Sequence, residues 1–125
     1  MDFEIVNGDI AGCETECLVV GIEANGQLSP SATVLDTVAQ GYIADIVSGG
    51  DIQGKTAESL LLQKVPGVTA RRVLLIGLGK SEERNDRNYR KIVKSAMAAI
   101  KGIRAKSAVF ALDGLGSNDD DQYRQ

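Results

Sequence analysis

This 125-residue sequence predicts an α/β domain built on a mostly parallel or mixed sheet covered by helices. Three observations carry that prediction. Apolar runs of strand length alternate with helical stripes along the chain. Most of those runs are continuous rather than alternating, the pattern of strands covered on both faces. Turn signals rich in Gly, Asn and Pro separate the successive elements.

Residues 3–6 form a short alternating run that stops at Asn7-Gly8, a first strand. Residues 17–22 (Cys-Leu-Val-Val-Gly-Ile) read as a buried strand, with a turn at Asn25-Gly26. Ser29 caps a helix whose first position takes Pro30, and Val34, Leu35, Val38 and Ala39 follow at helical spacing. Gly41 interrupts; Tyr42, Ile43, Ile46 and Val47 resume the stripe until Gly49-Gly50. Residues 59–65 read as a strand ended by Pro66-Gly67, and 72–76 as another ended by Gly77-Leu78-Gly79. The clearest helix runs over 86–101, with Tyr89, Ile92, Val93, Ala96, Ala99 and Ile100 on one face. Residues 107–112 make a last buried strand. At the end, Asn118 followed by Asp119, Asp120 and Asp121 reads equally as a helix start or as a polar tail.

Composition narrows the class. The chain fits one domain and is long enough to bury a core without disulfides or metals. Apolar residues are 43% and charged residues 25%, the balance of a soluble globular protein. With 4% aromatics and no Trp, the core falls to Val, Leu, Ile and Ala. The net charge is −3, and the cations read as interleaved with acids, which argues against nucleic acid as a partner of this domain alone. Arg71, Arg72 and Lys80 flank an apolar run and read as solvated strand ends. Cys13 and Cys17 are spaced C-x3-C, but no histidine and no third cysteine accompany them, so they read as thiols rather than a closed zinc site. The start, Met-Asp-Phe-Glu, has no basic or apolar leader pattern, and no run reaches membrane-spanning length. No membrane contact and a cytoplasmic location are expected.

Two glycine motifs invite a chemical reading. Gly49-Gly50-Asp51-Ile52-Gln53-Gly54-Lys55-Thr56 fits the phosphate-loop pattern G-x-x-x-x-G-K-T letter for letter. That chemistry needs a strand before the loop and a helix after it, so that a helix N-terminus faces the phosphate. Here a helical stripe precedes and a strand follows, which predicts a plain connection with Lys55 solvated. The apolar run from Val109 to Asp113 imitates the second, magnesium-holding element. Gly77-Leu78-Gly79 follows a strand as a dinucleotide loop would, but position 82 is Glu82 and the third glycine is missing. A tight strand exit is expected, with a phosphate-ligand pocket at the strands' carboxyl ends as the alternative. Acid–base equipment is poor: there is no histidine, Glu82-Glu83 and Asp119 to Asp121 sit in polar stretches, and Tyr42 and Tyr89 read as core.

Taken together and in order, several segments resemble the start of leucyl (cytosol) aminopeptidases: 17–22, Leu28-Ser29-Pro30, Gly41-Tyr42-Ile43, 54–62, Val65-Pro66-Gly67-Val68, 72–80 and 89–93. The resemblance implies a macro-domain-like three-layer sandwich, a mixed β-sheet flanked by helices, similar to ADP-ribose-binding modules. It implies residues 1–117 as a single α/β N-terminal domain, and 118–125 as the start of a truncated helix or linker toward an absent C-terminal catalytic domain. That catalytic domain would carry two divalent metals (zinc, manganese or magnesium) in Phe-Asp-Ser-Gly-Gly and Asn-Thr-Asp-Ala-Glu-Gly-Arg segments, which do not occur here. No catalytic, cofactor-binding or metal residue carries over onto this sequence. The parent would be a homohexamer acting on peptides. The rival expectation is a stand-alone module binding ADP-ribose or another nucleotide. The macro-domain Asn-Ala-Ala-Asn and triple-glycine stretches correspond to residues 21–25 and 48–51 here and match poorly, which predicts a degenerate pocket.

Overall fold

The computed structural model describes residues 2–5, 14–80, 82 and 85–111. Cys13, Glu83, Leu112, Asp113, the Asn118–Asp121 cluster and the proposed boundary at 117 lie outside the described residues. A mixed sheet forms the middle layer. Its strands are β1 (Asp2–Ile5), β2 (Cys17–Glu23), β3 (Gln27–Leu28), β4 (Ser59–Gln63), β5 (Arg72–Gly79) and β6 (Ser107–Ala111). The main order is β1-β6-β2-β5-β4, and short β3 pairs with β2. The β1–β6, β6–β2 and β2–β5 pairs are parallel; β4 runs antiparallel to β5, and β3 to β2.

The continuous apolar runs are buried because each strand feeds two cores. Alternate residues of a strand point to opposite faces. Leu18, Val20, Ile22, Val73, Leu75 and Val109 pack with Leu35 and Ile43 on one face. Val19, Leu74, Ile76 and Leu78 pack with Ile92, Ala96 and Ile100 on the other. The first face is covered by α1 (Pro30–Val38) and α2 (Tyr42–Ser48), the second by α3 (Asp86–Gly102). The result is the expected three-layer α/β/α sandwich.

The helix boundaries follow local chemistry. Ser29 is fully buried and its Oγ accepts the Ala32 N–H at 3.2 Å, with Pro30 at the first helical position. Gln40 (φ 59°) and Gly41 (φ 86°) break the chain between α1 and α2. The Asp36 carboxylate of α1 then accepts the Ala44 N–H at 2.9 Å, capping α2 from outside. Asn85 caps α3 by accepting the Asn88 N–H at 2.9 Å.

Four expectations need correction. The third long strand does not end at Ile76; β5 continues through Gly77 to Gly79. The strand expected over 59–65 ends at Gln63, because Lys64 turns into the left-handed region at φ 55°. Val34, Val38 and Tyr42 are not core: they are 50%, 39% and 38% exposed. The buried side of α1 is instead Ser31, Ala32 and Leu35. Finally, Arg72 is not a solvated strand end, since its Nε is buried and has no hydrogen-bond partner among the described residues.

Candidate functional site

A cleft of about 670 Å³ opens beyond the carboxyl ends of β2 and β5. That is where open α/β sheets receive ligands. One wall is the turn that follows β2, Ala24-Asn25-Gly26, in which Asn25 takes φ 67°. Val47 and Gly50, at the carboxyl end of α2, form a second wall. Gln53, Lys55 and Thr56 come from the connection to β4, and Gly79 and Lys80 from the end of β5. Both glycine motifs therefore meet in one place, which the sequence did not predict.

The connection 52–58 is held down over the strand ends. Gly79 N–H donates to the Gly54 carbonyl at 2.8 Å, and Ala57 N–H to that of Gly77 at 2.9 Å. Gly77 N–H donates to the Glu58 carbonyl at 2.6 Å, and Gly26 N–H to that of Gln53 at 3.0 Å. From the far side of the sheet, the Ser95 hydroxyl of α3 donates to the Ala57 carbonyl at 2.8 Å. The loop lies so close that Gly77 has no room for a side chain. A Cβ there would overlap the Lys55 carbonyl oxygen. This explains why a strand interior carries glycine, a residue that in the sequence alone reads as a strand exit.

The phosphate-loop look-alike has the inverted context expected of it. Helix α2 precedes Gly49-Gly50 and strand β4 follows, so the carboxyl end of a helix faces the loop. Its amides are also taken. Gln53, Gly54 and Lys55 donate their backbone N–H groups to the same oxygen, Glu58 Oε1, at 3.0, 3.0 and 3.1 Å. Gly54 at φ 89° lets these successive amides converge. Lys55 is exposed, as expected.

Other candidates fall elsewhere. Cys17 is buried, and burial pushes its thiol from 9.0 up to about 11 against the opposing pull of Arg72. It is no nucleophile. Tyr89 is half-buried against the core, while Tyr42 is surface. Glu82 is exposed. Among the described residues, no three of His, Cys, Asp and Glu come together as metal ligands. Also among the described residues, no helix is long and apolar enough to cross a membrane. The expected interleaving of charge fails on α3. Arg87, Arg90, Lys91, Lys94 and Lys101 are exposed, and their three- and four-residue spacing puts them on the solvent side opposite Ile92, Ala96 and Ile100. Asp86 is the one acid of that helix.

Residues 19–125 match the family model for the N-terminal domain of the cytosol aminopeptidase family. The chain belongs to that family. A probable cytosol aminopeptidase of Haemophilus ducreyi is 39% identical over 92% of the chain but only 23% of its own length. One of Methylobacillus flagellatus is 45% identical over 80% of the chain and 20% of its own length. The chain thus spans about a quarter or less of these relatives. Among solved structures, the macrodomain of Mycobacterium tuberculosis DarG superposes with TM-score 0.68 over 94% of this chain and 78% of its own, at 12% identity. The macrodomain of Thermus aquaticus DarG gives 0.65 over 97% and 86%, at 16% identity. The fold is macrodomain-like.

Proposed function

We propose that this cytosol aminopeptidase-family chain is a non-catalytic N-terminal domain. On this reading the peptide-cleaving chemistry belongs to the other three quarters of the parent protein, a metal-dependent leucyl aminopeptidase of the cytoplasm. The length relation carries the proposal: relatives up to 45% identical extend far beyond the matched segment, and that segment matches an N-terminal domain. The poverty of the chain in acid–base groups agrees, since it has no histidine at all. The two divalent metals, the peptide site and the contacts of a homohexamer would lie in the C-terminal domain. This domain would shape assembly or substrate access. The test is leucine-anilide hydrolysis by the purified chain with added manganese. No turnover above buffer is expected; turnover abolished by a chelator would overturn the reading.

A second reading is a macrodomain-like module for ADP-ribose or another nucleotide. The cleft at the carboxyl ends of β2 and β5 favours it, because its walls are glycine-rich and hold Lys55 and Lys80. Calorimetric titration with ADP-ribose separates the two. Absence of heat at millimolar ligand removes the second reading, and saturable binding promotes it.

A further inference from the structure

We propose that the amides of Gln53, Gly54 and Lys55 form a phosphate-type oxyanion site at the edge of the cleft, which the protein keeps closed with its own Glu58 carboxylate. The inference does not depend on whether the chain is an accessory domain. Three consecutive N–H groups converge on one oxygen at 3.0 to 3.1 Å. Such a cradle stabilises an anion through fixed partial charges and specifies an oxygen at one point in space. Gln53 and Lys55 also line the cleft, so an oxyanion in place of the carboxylate would sit at its edge.

The closure is intramolecular and therefore strong. Glu58 follows Lys55 by three residues. So short a tether holds the carboxylate at an effective concentration in the millimolar range or above. Free phosphate must outcompete that local concentration, so the wild-type cleft rejects it. The cradle itself does not need the carboxylate. The bonds from Gly79 to Gly54, from Ala57 to Gly77 and from Gly26 to Gln53 are all between backbone groups. The Ser95 bond to Ala57 is also independent of the Glu58 side chain. Removing the carboxylate alone thus leaves three amides aimed at an empty point.

The experiment is a titration of wild type and Glu58→Ala with inorganic phosphate, followed by the amide NMR signals of residues 53–55. Glu58→Ala should bind phosphate at least tenfold more tightly than wild type, with the largest shifts at those amides. Its melting temperature should rise with phosphate while that of wild type stays put. Equal affinities, or shifts confined to the lysines of α3, would overturn the proposal. If Glu58→Ala fails to fold, Glu58→Gln decides, because its neutral oxygen still accepts from the loop. A several-fold gain in phosphate affinity supports the closed site, and an unchanged affinity refutes it.

Discussion

Replacing Gly77 by alanine tests whether the loop over the strand ends is as tightly seated as its geometry implies. A Cβ at this position would overlap the Lys55 carbonyl oxygen and stand 2.8 Å from its carbon and 2.9 Å from the Gly54 carbon. All of these are backbone atoms, so no side chain can swing aside. Restoring ordinary contact with that oxygen moves the loop by more than roughly an ångström. The bonds at risk are the three that seat it on β5: Gly79 to Gly54, Ala57 to Gly77 and Gly77 to Glu58. Overpacking of this kind costs about 1–3 kcal/mol, and each weakened hydrogen bond up to about 1 more, so a total of about 2–4 kcal/mol is expected. For a domain of this size that lowers Tm by about 8–16 °C. Gly102→Ala is the control. Nothing lies within 4 Å of its added Cβ, and alanine favours the helix by up to about 1 kcal/mol. Thermal denaturation of both variants by circular dichroism is the assay. A Gly77→Ala protein melting within 2 °C or so of wild type would refute the reasoning, since the loop would then yield without cost.

Three further outcomes follow from the same packing. Ser29→Ala should cost about 1–2 kcal/mol in urea denaturation, because it leaves the Ala32 N–H without its cap at a fully buried position; a change within error would deny the cap its role. Leu75→Ala, at the centre of β5, should cost about 2–5 kcal/mol by the same measurement, and a cost well under 1 would mean that the core around it collapses freely. Cys17 should make stability fall in alkali. Its folded thiol titrates near 11 against 9.0, so above pH 9 the unfolded chain releases a proton that the native state keeps. That contribution is intact below pH 9 and is lost as pH rises through 11, to the extent of roughly 2–3 kcal/mol. Cys17→Ala should lack this part of the decline, and matching pH profiles would count against it.

The layers were legible in the sequence because burial on both faces leaves a local signature. The run 17–22 is apolar throughout since Leu18 and Val20 face one core and Val19 the other. Capping was legible at α1, where Ser29 and Pro30 act within three residues of themselves. The failures share one cause, dependence on segments distant in sequence. Gly77 looks like a turn until the loop carrying Lys55 is laid over it. Val34 and Val38 share the spacing of Leu35 and Ala39, but the sheet lies on one side of α1 only, and periodicity alone drew the buried stripe too wide. The cation face of α3 is by contrast a matter of local spacing: Arg87, Arg90, Lys91, Lys94 and Lys101 recur on the side away from Ile92, Ala96 and Ile100, although acids accompany the cations along the chain as a whole.

The site was legible only in halves. Each glycine motif was visible, but their meeting requires β2 and β5 to be parallel neighbours ending at the same edge. Glu58 gave no signal, because an acid three residues beyond a lysine is unremarkable until the intervening loop curls back. Its position explains how a phosphate-loop pattern can persist in a setting with no helix N-terminus behind it. A cradle of amides is a property of the loop's own curvature, whereas selecting phosphate depends on the elements on either side. Here the curvature is present, the flanking order is reversed, and of the three convergent N–H groups only that of Gly54 belongs to a buried residue, Gln53 and Lys55 being exposed. The buried Gly54 donor left unsatisfied would cost about 1–3 kcal/mol, and the carboxylate oxygen that satisfies it also takes the two exposed amides beside it. The acid at position 58 is thus the stabilising complement of the glycine at position 54, and the pair should be regarded as one device rather than as a degenerate nucleotide motif with a stray charge nearby.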